Sequence, residues 1–433
     1  MPPGGMGMPP GGAFGMPPGG VPGMPMGGGM PPGAFGGNPA LVGQPAEFPN
    51  AAQPSKEPQS PFSMKDDGAP NAFNSDPYPY RPMRLQMSFG YSLLWFRPGN
   101  YPTLATTGSI ADQIPGALDQ PGTRILSGGT RDPGPSASFR STFTYWLRDP
   151  EILSLNAEFF LMEQRSLFNT LESDINGSPI LMRPFFNPAI LAEEADQRSL
   201  PAVSRATLTD SVRTRLMGAD ANLKWHSSVH AEGAHFAIFG GMRWLRLDER
   251  YNSFDTRTDI SGVGQVITYS DTFTTYNQFF GAQFGANYRY TLGRFSLDLG
   301  AKLALGPNYQ TIKINGHTDI TIIGGGSVSN SGQGLYAQPS NVGNYRAISF
   351  SMVSQADAKL NFDITERLRF QVGYSFLLLN RAVRPGEQMD RTINTQQQVL
   401  LPGLIEPNLP GPPSFRQSSF YAHMLNFGLE FNY

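Results

Sequence analysis

The chain has no cysteine, which excludes disulfide frameworks, thiolate zinc sites and cysteine nucleophiles together. Charge is scarce as well: Asp, Glu, Lys and Arg make up 15% of the 433 residues, against roughly 25% in an ordinary soluble domain. The formal net charge of -2 gives no reason to expect a nucleic-acid partner. No uninterrupted apolar run reaches the ~18 residues of a membrane-crossing helix. If such a chain enters a bilayer, only a closed β-barrel can satisfy its backbone there, because lipid offers no partner to an unpaired amide. No P-loop, HExxH or GxSxG occurs, and "GVGQVI" from Gly262 lacks the third glycine of a dinucleotide loop. No enzyme activity and no cofactor are therefore expected.

What is present divides in two. Residues 1–80 are low in complexity, with MPPGG at Met1, Met8 and Met16 and MPPGA at Met30. The glycines do not keep the every-third spacing of collagen, and such a segment cannot bury a core. It reads as a disordered Pro/Gly/Met-rich tether, or as a Pro-rich ligand for a partner. It has neither the basic start nor the apolar centre of a secretory signal, so a start codon upstream or a trimmed leader is expected.

Residues 81–433 have a different texture: alternation with a period of two, the signature of half-buried strands. "RLQMSFGYSLLWFR" sets Leu85, Met87, Phe89, Tyr91, Leu93 and Trp95 against Gln86, Ser88, Gly90 and Ser92. About ten such strands follow one another. Tight turns at 148–151, 227–234, 291–293 and 363–366 join them in pairs. Long Gly-, Pro-, Asn- and Ser-rich links, near 98–135, 169–205, 251–268, 313–343 and 382–414, join the pairs to one another. Short turns at one end and long loops at the other, with an even strand number, mark a bacterial outer-membrane barrel. A soluble β-sandwich would not need one-sided loops. The expected fold is all-β: a closed antiparallel up-and-down transmembrane barrel of about ten strands, in the outer membrane, with the termini in the periplasm and lipid as its first partner.

The faces fit that expectation. Phe295, Leu297, Leu299, Ala301, Leu303 and Leu305 form an unbroken apolar series, and a lipid-facing Arg or Lys near the midplane would cost ~2–4 kcal/mol. Tyr145, Trp225, Tyr288, Tyr290 and Tyr433 near the short turns, with Trp95 and Trp244 towards the loops, suit two interfacial belts. The final strand, with Phe427, Phe431 and Tyr433 on its greasy face, must pair with the strand of Phe89 and Tyr91 to remove both sheet edges. The opposite faces place Arg140, Glu158, Asp220, Lys224, Arg243, Arg289, Asp298, Lys302, Asp357, Lys359, Arg369 and Glu430 in the lumen. Eight strands give a filled interior and about 16–18 an open channel. Ten strands leave a salt-bridged plug or a narrow hydrated pore for ions and small solutes as the main readings, with a proton-relay or catalytic role as a third. His226, His230 and His235 cluster near one turn without a carboxylate at metal spacing, so a polar turn is favoured over a metal site. His317 in "INGHTD" is the sole histidine at the loop end. Asn176-Gly177-Ser178 matches a glycosylation acceptor that is frequent by chance.

"SLLWFRPG" with "LATTGS", "QPGTRILSGG", "GSPILMRPFFN", "GADANLKW", "GGMRWLRLDE", "AQPSNVGNY", "NRAVRPGEQMDRTIN" and the terminal "NFGLEF" together resemble the planctomycete β-barrel porin-7 family of outer-membrane proteins. The likeness runs from Ser92 to Phe431 and leaves out the Pro/Gly-rich head. It implies an outer-membrane location and supplies no functional residues. The aromatic-ended last strand also resembles those through which barrel-assembly machinery recognises its clients. Two functions remain open: a narrow channel, or a structural or adhesive surface protein that binds an unidentified partner through its long loops.

Overall fold

In the computed structural model, residues 84–433 are described except 148–151, 228–232, 263 and 398–408. The low-complexity head, the turn at 148–151 and His230 lie outside the described residues. The strands, in chain order, are β1 (Leu85–Phe96), β2 (Gly99–Thr107), β3 (Arg124–Arg131), β4 (Ser136–Trp146), β5 (Leu153–Met162) and β6 (Arg165–Glu172). There follow β7 (Leu181–Asn187), β8 (Ala192–Ser199), β9 (Ser204–His226), β10 (Ala234–Asp259), β11 (Gln265–Leu292) and β12 (Phe295–Ile322). β13 (Ser327–Ser331), β14 (Gly343–Asp363), β15 (Leu368–Val383) and β16 (Gln417–Asn432) complete the set, with one helical turn, α1 (Pro385–Gln388).

Ten strands close a ring in the order β1-β4-β5-β9-β10-β11-β12-β14-β15-β16, every neighbour antiparallel. The seam joins the first strand to the last. Tyr91 lies opposite Phe427, Phe89 opposite Leu429 and Met87 opposite Phe431, and the Leu85 and Tyr433 backbones exchange hydrogen bonds of 3.1 and 2.8 Å. Closure of this kind leaves no unpaired edge for lipid to meet.

The alternation sorts side chains as the pleat requires. On β12, Phe295, Leu297 and Leu299 are exposed on the outer surface, while Ser296 and Ala304 are buried inside. Tyr145, Trp225, Tyr288, Tyr290 and Tyr433 also face outward at the short-turn end, and Trp95 at the other.

The links differ from the sequence expectation. Most of 251–268 is strand, since β10 runs to Asp259 and β11 starts at Gln265, and β12 carries the first third of 313–343. The links 98–135 and 169–205 contain β2, β3, β7 and β8 and the end of β6. Beyond the lipid-facing stretch the strand wall meets water outside and a mixed interior inside, where Val212, Tyr251, Phe273, Ile312 and Ile314 are buried beside Asp210, Ser253 and Asp271. Thr, Ser, Asn, Asp and Arg stand there on both faces ("RYNSFDTRTD"), a composition that resembles loop. β6 prolongs β5 along β9, and a four-stranded sheet, β3-β2-β7-β8, fills the long-loop mouth.

Candidate functional site

Inward-facing residues divide the lumen into three levels. At the short-turn end lies a cavity of about 400 Å³ lined by Trp146, Lys224, His226, His235, Lys359 and Gln371, among others. Its floor is an ion network. Arg140 of β4 pairs with Glu158 of β5 and reaches Asp357 at 3.4 Å. Lys302 of β12 bridges Glu158 at 2.7 Å and Asp220 at 3.2 Å. Arg243 is 3% exposed and donates to Gln355 at 2.5 Å and Gln283 at 3.3 Å. Nearer the opening, Arg289 clasps Asp298 at 2.6 and 2.8 Å, and Arg369 bonds Glu430 at 3.0 Å and Asp363 at 2.5 Å. Lys224 sits over the Phe239 ring at 5.3 Å. Lys224 and Lys359 line the cavity wall and make no direct ion pair among the described residues. His226 stacks on Trp146 at 4.3 Å and meets Ser154 Oγ at 2.9 Å. Among the described residues no group of His, Cys, Asp or Glu is arranged to hold a metal.

Above the network, where an ionic lumen was expected, sits a collar of hydrocarbon. Leu94, Phe96, Phe160, Met162, Leu216, Leu245, Leu247, Phe279, Leu377, Leu379 and Phe420 pack together in one buried cluster. Phe96 and Phe420 stack at 6.0 Å. Ten strands enclose a space narrow enough for facing side chains to meet across it, and each buried Leu or Phe gains ~1.5–3 kcal/mol over exposure. The collar therefore excludes water from mid-height.

The third level is built by the loops. Tyr101, Leu104, Phe185, Met389 and Ile393 come in from β2, β7 and the segment after β15. They meet Val212, Tyr251, Phe273, Ile312 and Ile314 on the wall. Arg183 of β7 is fully buried and satisfied: it donates to Asp255 at 2.8 and 2.5 Å, Asp210 at 3.0 Å, Ser253 at 2.8 Å and the Leu104 carbonyl at 2.7 Å. Arg384 clasps Glu249 at 2.9 and 2.6 Å and the Pro98 carbonyl at 2.8 Å. Burial alone would raise Asp210, but Arg183 and hydrogen bonds from Tyr251 and Ser127 hold it below the usual carboxylate range. These two arginines were not among the sequence candidates, since both lie in stretches read as loop.

Asp271, high on β11, accepts the Leu335 and Ala337 amides at 3.3 and 2.9 Å and so fixes the loop before β14. Burial pushes its pKa from 3.8 up to about 6 despite those bonds. The docked form thus holds a proton more tightly than an open one. Docking is strongest at low pH and weakens as pH rises from about 4 through 6. Amide exchange at Leu335 and Ala337, corrected for intrinsic rates, should show greater protection at about pH 5 than at about pH 7.5. Asp271→Asn should remove that difference.

At the rim, His317 Nε2 lies 3.0 Å from Asp319 and 3.4 Å from Ser329. Both contacts use the same ring nitrogen, and a relay needs one on each. The site is a surface hydrogen-bond cluster.

A closed ring of ten strands, apolar outside and ionic at both ends of its lumen, defines a porin-like outer-membrane β-barrel. The sequence family described as "Putative beta barrel porin-7 (BBP7)" matches residues 87–433, and the chain belongs to it. The protein resides in the outer membrane, with bilayer lipid around its apolar belt. No curated protein matches the chain by sequence. Among solved structures it is similar to the outer membrane protease OmpT from Escherichia coli, at 9% identity and a TM-score of 0.37, over 83% of this chain and 100% of that one. The P. putida toluene transporter TodX matches at 12% identity and a TM-score of 0.21, over 82% and 91%. A Pseudomonas aeruginosa FadL homologue matches at 8% and 0.21, over 81% and 90%.

Proposed function

We propose that the protein is a structural or surface-binding barrel whose lumen is closed at rest, rather than an open diffusion pore or an enzyme. The observation that carries this reading is the collar around Phe279 and Phe420, an apolar, buried cluster between two buried ion networks. A hydrated path would have to displace it. The wall projecting past the collar, with its inserted sheet, then provides a rigid outward platform for a partner, and the long-loop end faces the exterior. The last strand, Gln417–Asn432, is the segment that assembly machinery would engage; nucleic acid has no place in this scheme.

Reconstituted into planar bilayers, the protein should show no stable conductance steps after insertion is verified by gel mobility of boiled against unboiled samples. Steady unitary steps from the wild-type barrel would overturn the closed reading. They would favour a second reading, a narrow channel entered through the 400 Å³ cavity lined by Lys224 and Lys359.

A further inference from the structure

The outward face of the wall changes abruptly where the apolar belt ends. Strand register aligns residues of β9, β10, β11, β12 and β14 into rows that run round the barrel. Ala219, Trp244 and Phe280 share the last apolar row. The next is Met217, Arg246, Gln278, Tyr309 and Ile348. Above it come Arg215, Asp248, Tyr276, Thr311 and Arg346, and above that Arg213, Arg250, Thr274, Lys313 and Asn344. Rows are two residues, ~6.7 Å of strand, apart. Six cations and one carboxylate therefore occupy three consecutive rows directly above the lipid-facing surface. At the short-turn end the corresponding outward residues, Trp225, Ile238, Tyr290, Leu297 and Leu360, carry no charge.

These charges do not neutralise one another. Asp248 pairs with Arg246 on its own strand at 2.8 Å, and none of the other five cations has an ion pair among the described residues. Glu163, exposed just past β5, pairs with none of them. Arg213 stands opposite Arg250, an arrangement that destabilises a sheet unless an anion intervenes. The Arg213 Nε is buried and has no hydrogen-bond partner. Arg246 and Lys313, from rows on either side of Tyr276, both lie over its ring at 5.6 and 5.4 Å, which holds their side chains against the wall.

We propose that this surface docks the phosphate-bearing headgroup of an outer-leaflet lipid. The inference rests on the membrane-barrel reading, with the long-loop end outermost. Continuity with the apolar belt selects a membrane-borne anion over a soluble one: acyl chains would lie along Phe280, Tyr309 and Phe350 while the phosphate sits between Arg213, Arg250 and Lys313. Guanidinium groups bind phosphate oxygens in a bidentate fork, and each basic group near an anionic lipid surface adds to retention.

The test is native mass spectrometry of the detergent-folded barrel equilibrated with mixed micelles of phosphatidic acid and phosphatidylcholine. The wild type should retain phosphatidic acid selectively. The triple variant Arg213→Gln/Arg250→Gln/Lys313→Gln should lose that retention by about tenfold or more, with unchanged heat-modifiable gel mobility. If the triple variant does not fold, the single Lys313→Gln and Arg346→Gln variants should each lower retention. Inorganic phosphate at matched concentration should not displace the lipid. Equal retention of both lipids, undiminished retention by folded variants, or displacement by free phosphate would overturn the proposal while leaving the barrel reading intact. Failure of the wild type to insert would overturn the barrel reading itself.

Discussion

Arg183→Met should loosen the plug by about 3–5 kcal/mol, the usual consequence of stranding buried carboxylates. The guanidinium is the shared partner of Asp210 and Asp255, whose side chains are 5% and 2% exposed. The other contacts to Asp210, from Tyr251 and Ser127 at 2.7 and 2.8 Å, are neutral donors and cannot offset its charge. Arg198 approaches Asp255 at 3.7 Å, too far for a hydrogen bond. Both carboxylates would take up water or protons, and either pushes β7 outward. The expected result is rapid amide exchange and new protease cuts within 99–131 and 181–199, while the boiled and unboiled gel forms still differ. Arg391, paired to Glu193 at 2.9 Å with both side chains more than a fifth exposed, is the control. Arg391→Gln should change plug protection by no more than ~1 kcal/mol, as surface pairs do. Equal effects at the two arginines would show that burial of the pair is not what holds the plug.

The second large effect is expected in the collar. Phe420→Ala removes a fully buried ring from the collar and should destabilise the barrel by ~3–5 kcal/mol, hydrophobic transfer and cavity formation together. The urea midpoint of the detergent-folded protein reports it. The void would be lined by Leu94, Phe96, Leu377 and Leu379 and bordered on one side by the Arg384 guanidinium, 5.6 Å from the lost ring and clasped to Glu249, so it opens no continuous hydrated path through the collar. Conductance should therefore remain absent even as stability falls. A variant that conducts without losing stability would mean that the collar is a gate and not a structural core.

Much of this was legible in the residues. The series Phe295 to Leu305 set the outer face of β12 because a bilayer tolerates no charge there, and the charges of the opposite face define its inside. The terminal alternation ending at Tyr433 anticipated the seam with Phe89 and Tyr91. The collar was missed, although its trace is visible: "SLLWF" and "SFLLL" stop alternating and become apolar on both faces, as strands do when neither side meets water. The period-two reading of the first strand stopped at Leu93 and Trp95 and placed Leu94 and Phe96 on neither face. The plug was illegible for a different reason. Arg183 and Arg384 lie in "LMRPFFN" and "AVRPGEQ", where proline suggests a loop. What fixes them is contact with Asp255 and Glu249, 72 and 135 residues away, and no local pattern encodes a partner that distant. Beyond the belt the inward apolar set of β12, Ile312, Ile314 and Ile320, is spaced among the polar residues of "TIKINGHTDITI", and that polarity made the stretch read as loop.

β11 and β12, at 28 residues each, are nearly three times the ~10 residues needed to cross a bilayer. From Tyr309 to Ile322 the chain climbs roughly 43 Å along the strand, or about 33 Å above the level of Tyr309 at a barrel tilt near 40°. Anything grafted at Gly324 would be held away from the bilayer on a stiff mast of paired strands. That makes the tip a natural mount for a displayed peptide or fluorophore, and its standoff could be read directly by depth-dependent quenching from labelled lipid.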